Sequence, residues 1–154
     1  MVSKRTSQLL ILILALPALF LLVACGGAEE AQPAGASLED ETRTVSVDGG
    51  SYTAVSVDGL ALMLEDKDFP LINVHIPYEG ELEGTDLFIP YDEIGQHLNE
   101  LPADKDAQIV LYCRSGNMSA QAARDLVQLG YTDVWDVEGG MVDWAASGRT
   151  VLQQ

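Results

Sequence analysis

The sequence predicts an α/β fold, a mainly parallel sheet with helices on both faces, on three observations. Short β-prone apolar runs alternate with stretches of helical periodicity from residue 51 onward. The run Leu71 to His75 carries apolar residues on both faces, as interior parallel strands do. The stretch Ile109 to Leu129, IVLYCRSGNMSAQAARDLVQL, reads as a buried strand, a tight loop and a helix in one piece. A cysteine stands at the carboxyl end of that strand, facing a helix N-terminus. Open α/β sheets usually place their chemistry there.

Taken in order, the chain begins with a targeting segment, residues 1–24. Lys4 and Arg5 precede an uncharged apolar run from Leu9 to Ala24. That run is interrupted by Pro17 and falls short of the ~20 residues a membrane-spanning helix needs, so it reads as an export signal. It ends in Leu22-Val23-Ala24-Cys25, which resembles the lipobox of bacterial lipoproteins. The resemblance implies cleavage before Cys25, lipid on Cys25, and an extracytoplasmic protein anchored to a bacterial membrane. An uncleaved anchor would put the domain on the same side. Cleavage would leave 24 acidic and 6 basic residues, a net charge of −18. Such a chain is repelled by nucleic acid and by anionic lipid surfaces, so no nucleic-acid partner is expected.

Residues 25–50 read as a flexible acidic linker of Gly, Ala, Glu, Gln, Pro and Ser with too little apolar content to fold alone. Thr44 to Gly49 is the one part that offers an edge strand. The folded domain is expected over 51–154. Tyr52 to Val55 is its first strand, followed by a short helix with Leu60, Met63 and Leu64 on one side. Phe69-Pro70 ends that unit, and Leu71 to His75 is the second strand. Pro77 to Thr85 reads as a solvated loop exposing Glu79, Glu81 and Glu83. Leu87 to Ile89 is a very short third strand, and Tyr91 to Leu101 a helix with Ile94, Leu98 and Leu101 inward. Ile109 to Tyr112 is the fourth strand. A helix from Met118 buries Ala122, Leu126 and Leu129 and stops at Gly130. Asp133 to Val137 is the fifth strand, and Met141 to Ala146 the last helix.

The chemistry rests on Cys113. With Cys25 lipidated it has no partner for a disulfide, so it is either a buried inert thiol or a working one. To work it must ionise, and a free thiol titrates near 8.5. Cations and helix N-termini bring that value down to roughly 3.5–7.5. Both are at hand. Arg114 is the nearby fixed cation, and Gly116 and Asn117 tolerate the positive φ that lets backbone N–H groups turn inward as an anion nest. Ser115 and Ser119 offer hydroxyls to the sulfur or to the helix start. His75, at a strand's carboxyl end, is either a proton carrier for the pocket or a histidine bonded within its loop. Neither His75 nor His97 has metal-ligand spacing, so no metal is expected. Trp135 and Trp144 read as packing residues.

From about Ser56 to Trp144 the chain resembles a rhodanese-like domain. The resemblance is carried by IVLYCRSGNMSAQAA, by Gly130-Tyr131 with Val134, and by the closing Glu138-Gly139-Gly140-Met141-Val142-Asp143-Trp144. It implies a five-stranded, mainly parallel sheet. It also implies a sulfurtransferase in which Cys113 accepts a sulfane sulfur, holds it as a covalent persulfide without any cofactor, and passes it to a thiophilic acceptor such as a thiol or cyanide. Arg114 would anchor the donor, and the backbone amides of residues 114–118, Arg114, Ser115, Gly116, Asn117 and Met118, would cradle the sulfur. The related phosphatases and arsenate reductases use a longer Cys-x5-Arg loop. Here the sixth position after Cys113 is Ser119, so a phosphate-sized loop is not expected. Many single-domain relatives read Cys-Arg-Ser-Gly-Asn-Arg-Ser, where this chain has Met118 for the second Arg. Two readings of that loss stand: it disfavours dianionic thiosulfate relative to a persulfide or polysulfide donor, or it reflects a methionine packed at the rim, with thiosulfate still a donor. The usual Asp-Val-Arg strand ending is Asn73-Val74-His75, which implies that a structural ion pair has been rewritten. Two other readings use the same residues: a non-catalytic binding or sulfur-carrier module, and a thiol redox sensor.

Overall fold

The computed structural model describes residues 37–153. The export signal, Cys25 and the first part of the expected linker lie outside the described residues. Thr42–Val47 (β1) and Gly50–Val55 (β2) form an antiparallel hairpin, Thr42 opposite Val55 and Val47 opposite Gly50. Its two-residue connection, Asp48-Gly49, is a sequence that two-residue hairpin turns favour. A 3-10 turn, Leu38–Glu41, leads into β1. Residues 38–50, expected in the linker, are therefore part of the fold. The edge strand offered over Thr44 to Gly49 is present as β1, and the linker reading of the rest fails because β1 buries little. Val45 and Val47 alone pack partly against the core, so the segment is polar enough to read as a tether.

Beyond the hairpin the strands are Leu71–Asn73 (β3), Glu81–Leu82 (β4), Leu87–Phe88 (β5), Ile109–Tyr112 (β6), Val134–Val137 (β7) and Val151–Leu152 (β8). The helices are Val57–Met63 (α1), Asn117–Gln128 (α2) and Gly140–Ala146 (α3). The main sheet runs β1-β2-β7-β6-β3-β5. The last five strands in that order are parallel, with Leu111 opposite Asp136 and Asn73 opposite Tyr112. The expected five-stranded parallel sheet is thus present, with β1 added antiparallel at one edge.

Alternation along each strand sends side chains to two cores. Ile109, Leu111, Cys113, Ile72 and Val134 pack on the side of α2, against Ala122, Ala123 and Leu126. Val110, Tyr112, Val55 and Val137 pack on the side of α1 and α3, against Leu60, Met63, Met141 and Trp144. β6 is buried along its whole length, so the strand that carries Cys113 is fixed from both faces.

Two expectations are corrected. Tyr91 to Leu101 is not a helix. It is a chain of turns around a 3-10 segment, Ile94–Gln96, with bonds from Glu93 N–H to Pro90 O, Gln96 N–H to Glu93 O and Glu100 N–H to His97 O. Gly95 and Asn99 are weak helix formers, and prolines close both ends. The turns still bury Ile94 and Leu101, which is what the helical spacing had promised. The loop from Pro77 to Thr85 is also more ordered than expected. Glu81–Leu82 pairs antiparallel with Val151–Leu152, and Leu82 is buried. Among the described residues no helix is long and apolar enough to cross a membrane.

Candidate active site

Cys113 follows β6 directly, and its residue is 1% exposed. Two donors meet its sulfur. The Gly116 backbone N–H lies 3.1 Å from Sγ, and the Ser119 hydroxyl 3.5 Å. Gly116 is the N-cap of α2 and holds φ +88°. A side chain there would strain the backbone and would also bring a Cβ to 3.3 Å of the Gly139 nitrogen. The sulfur thus sits at the positive end of a 12-residue helix, within reach of an inward-turned amide and a hydroxyl. Donors of this kind favour an anion, whether thiolate or persulfide.

The loop is clamped from behind by α3. Met141 N–H donates to Cys113 O at 3.0 Å, and Val142 N–H to Arg114 O at 3.0 Å. That approach is open only because residue 140 is glycine. With φ +53°, a Cβ at Gly140 would stand 2.1 Å from the Cys113 carbonyl oxygen. The Gly139-Gly140 pair and the cysteine loop are therefore one structure.

Arg114 is half exposed and does not turn to the sulfur. Its Nε lies 3.0 Å from Glu79 Oε2. His75 Nε2 lies 3.4 Å from the same oxygen without making a hydrogen bond, and neither of its buried ring nitrogens has a partner. Glu79 thus approaches both Arg114, the expected cation, and His75, the candidate proton carrier. Arg114 and Glu79 border an open groove of about 220 Å³, lined further by Met141, Val142, Ala145 and Val151. The Ser115 and Asn117 side chains are exposed and make no bond to the sulfur. Met118 is partly buried and packs against the α2-side core.

The rewritten strand ending is a neutral clamp. Buried Asn73 donates from Nδ2 to Gly80 O at 2.9 Å and accepts the His75 N–H on Oδ1 at 3.0 Å. On the other face of β6 the Tyr112 hydroxyl accepts the Leu82 N–H at 3.0 Å and meets Thr85 Oγ1 at 2.6 Å. Burial pushes the Tyr112 phenol up to about 12, so it stays protonated. These bonds hold the segment that carries Glu79 against the end of the sheet.

Sequence reasoning missed one residue, Asp136. It is 4% exposed, and its Oδ1 has no partner. Burial pushes its carboxyl up to about 6. The signal lay in the strand itself. An acidic residue between Val134 and Val137, in a strand flanked on both sides, is rarely buried without a partner or a purpose. The two tryptophans, by contrast, are packing residues: Trp144 Nε1 donates to Thr150 O and Trp135 Nε1 to Asp133 Oδ1. Among the described residues no cluster of His, Cys, Asp or Glu could hold a metal ion.

Comparison with known proteins agrees with this fold. A sulfurtransferase of Allochromatium vinosum is 33% identical over 102 residues, which are 64% of this chain and 92% of that protein. The tRNA uridine(34) hydroxylase of Escherichia coli is 34% identical over 94 residues, and the match spans 56% of this chain but only 27% of that protein. A rhodanese-related protein of Thermoplasma volcanium superposes with a TM-score of 0.56 at 27% identity, over 66% of this chain and 98% of that one. A rhodanese-like domain protein of Staphylococcus aureus gives 0.51 at 28%, over 59% and 89%. The family model of the rhodanese-like domain matches residues 56–147, from the start of α1 to the end of α3 and thus across the cysteine loop and its glycine clamp, and the chain belongs to that family.

Proposed function

We propose that the protein is a rhodanese-type sulfurtransferase that carries sulfane sulfur on Cys113. The observation that carries this reading is the pair of donors aimed at the sulfur, the Gly116 amide and the Ser119 hydroxyl, at the head of α2. The Cys113 thiolate attacks the outer sulfur of the donor. The S–S bond of the donor breaks, and its electron pair leaves with sulfite from thiosulfate or with a thiolate from an organic persulfide. The terminal sulfur stays on Cys113 as a persulfide anion held by the same two donors. A nucleophilic acceptor, a thiol or cyanide, then takes that sulfur and returns the thiolate. No cofactor enters the cycle.

The donor class follows from charge. The one cation of the loop from Cys113 to Met118 is Arg114, and it is paired with Glu79. A dianion must compete with that carboxylate, whereas a persulfide or polysulfide of lower charge need not. The same proposal holds the enzyme outside the cytoplasm by a lipid on Cys25, supported by the sequence Leu22-Val23-Ala24-Cys25 and the apolar run before it.

The test is sulfur loading of the full chain by thiosulfate, inorganic polysulfide and glutathione persulfide, read by mass spectrometry of the Cys113 peptide. One added sulfur is expected, absent in Cys113→Ser and released to cyanide as thiocyanate. Glu79→Gln should raise kcat/KM for thiosulfate about threefold to tenfold and leave the persulfide reaction within about twofold, as expected for removing one partly exposed charge. Failure of every donor to load Cys113 would overturn the enzyme and leave a non-catalytic binding module.

A further inference from the structure

Most of the large apolar side chains left in solvent gather at one end of the sheet. Among the described residues six are exposed: Leu62, Tyr78, Phe88, Leu129, Val142 and Leu152. Leu62 lies on α1 and Leu129 at the end of α2. The other four meet around the segment that carries Glu79. Tyr78 packs edge-on against Phe88, with ring centroids 5.5 Å apart. Its hydroxyl reaches Glu81 at 3.1 Å, and Glu81 pairs with Leu152 in the β4–β8 ribbon. Val142, with Val151, lines the groove that Glu79 and Arg114 border. Phe88 and Tyr112 are both register partners of Asn73. Phe88 therefore stands two strands, about 10 Å, from the residue before Cys113. Apolar surface collected in this way marks a contact site, whereas single exposed residues do not. It runs from an edge strand to α3, more than a small thiol covers.

We propose that this face docks a protein acceptor, an extended basic segment that presents a cysteine to the loaded Cys113. Docking of this kind presupposes that Cys113 carries sulfur, and it names what takes that sulfur away. Charge and depth select this occupant. Between Tyr78 and Asp86 the chain holds Glu79, Glu81, Glu83 and Asp86 and no basic residue. Arg114 pairs with Glu79 and Lys67 with Asp86, so four acids meet two cations, in a chain whose net charge is −16. A cationic segment is drawn to such a rim and an anionic one is repelled. Cys113 is 1% exposed. The flat surface of a folded partner stays clear of a sulfur at that depth, whereas one side chain on an extended segment can enter. The apolar neighbours of the entering cysteine then find Tyr78, Phe88 and Val142 as anchors. In the transfer, the acceptor sulfur forms a bond to the outer sulfur of the Cys113 persulfide. The S–S bond to Sγ breaks, and its electron pair stays on Sγ. The acceptor's proton moves onto the transferred sulfur, so the products are an acceptor persulfide and the Cys113 thiolate. No oxidant or reductant is consumed.

The experiment compares three acceptors on the full chain loaded with polysulfide: cyanide, the end-blocked peptide Lys-Leu-Cys-Leu-Lys, and the same peptide with Glu for both Lys. The Lys peptide should exceed the Glu peptide at least tenfold in kcat/KM, and a tenfold rise in salt should remove most of that difference. Phe88→Ser and Leu152→Ser should each lower kcat/KM for the Lys peptide about threefold to tenfold and leave cyanide within about twofold. Leu62→Ser and Leu129→Ser, exposed elsewhere, should leave both acceptors within about twofold. Equal rates for the two peptides, an equal fall for peptide and cyanide in Phe88→Ser, or equal effects of Leu62→Ser and Phe88→Ser overturn the proposal. So does a dimer of the chain alone that Phe88→Ser dissolves, since a second copy would then cover the face. A second measurement needs no sulfur transfer. In 15N NMR of the unloaded chain, Lys-Leu-Ser-Leu-Lys should shift the amides of Tyr78, Phe88 and Val142 and leave those of Leu62 and Leu129 in place, and its Glu counterpart should shift none of them. No shift with the Lys peptide, or the same shifts with both, overturns the docking face. If no donor loads Cys113, the transferase reading fails and this titration still decides whether the face binds a basic segment.

Discussion

A single buried carboxylate has a cost that pH can reveal. Asp136 titrates near 6 in the fold and at 3.8 as a free side chain, chiefly because burial penalises its charge. The folded value lies above the unfolded one, so the native state holds the proton more tightly. Stability from this group is fully present below about 3.8 and is lost as pH rises through about 6. The difference corresponds to about 3 kcal/mol. Since many other carboxylates titrate in the same range, the useful quantity is the difference between the unaltered chain and Asp136→Asn. Urea unfolding at pH 4 and pH 7 should show that difference moving by about 2.4 kcal/mol in favour of Asp136→Asn at the higher pH, since part of the effect is already expressed at pH 4. A difference that stays constant would show that the carboxyl is not desolvated. The sequence hides this residue for a physical reason. Cys113 announces itself through neighbours within six positions, Gly116 and Ser119 among them. Asp136 comes to stand opposite Leu111, two residues before Cys113, only because β7 pairs with β6.

At the scale of elements, local pattern identifies a segment only where local chemistry decides its shape. The strands β3, β6 and β7 are each buried over nearly their whole length and mostly apolar, Asn73 and Asp136 being the exceptions, and are read close to their true bounds. The expected helix over Tyr91 to Leu101 has inward apolar spacing that a run of turns satisfies equally well. β4 and β8 are two residues each and exist only by pairing with one another. What anchors β4 is Tyr112. The Thr85 hydroxyl donates to Leu82 O at 2.7 Å, so the Tyr112 hydroxyl donates to Thr85 while accepting the Leu82 N–H. Tyr112→Phe would leave that buried N–H without an acceptor. A loss of about 1–3 kcal/mol is expected in denaturant unfolding. Amide exchange should rise at Leu82 and the β4–β8 pairing more than along β6. Uniform loss of protection would show that the hydroxyl serves the whole core rather than this segment.

Seen whole, the molecule is strongly acidic, with a net charge of −16 over 154 residues. An acidic body is repelled by an anionic bilayer, so residence at a membrane has to come from an anchor rather than from the surface of the domain. A single acyl chain holds a protein only marginally, and two make the attachment durable. The proposed diacylglyceryl group on Cys25 supplies two. In a bacterial host the full chain should incorporate labelled palmitate and sediment with membranes, and Cys25→Ser should do neither. Sedimentation unchanged by that substitution would overturn the lipid anchor. The fold begins earlier than its composition indicates, since residues 38–50 are built into the hairpin and its entry turn, and this shortens any tether between Cys25 and the sheet.

The clamp between Gly140 and the Cys113 carbonyl has a consequence for how such loops can diversify. The amides of Met141 and Val142 grip the first two carbonyls of the loop, and the grip tolerates no added atom at residue 140. Lengthening the loop by a residue to admit a tetrahedral oxyanion would displace the carbonyls that α3 holds. A viable change of substrate class would have to alter residues 139–142 together with residues 113–118, two segments far apart in the chain. Loop length is in this sense inherited as a pair of sites, and random single insertions are poor explorers of it.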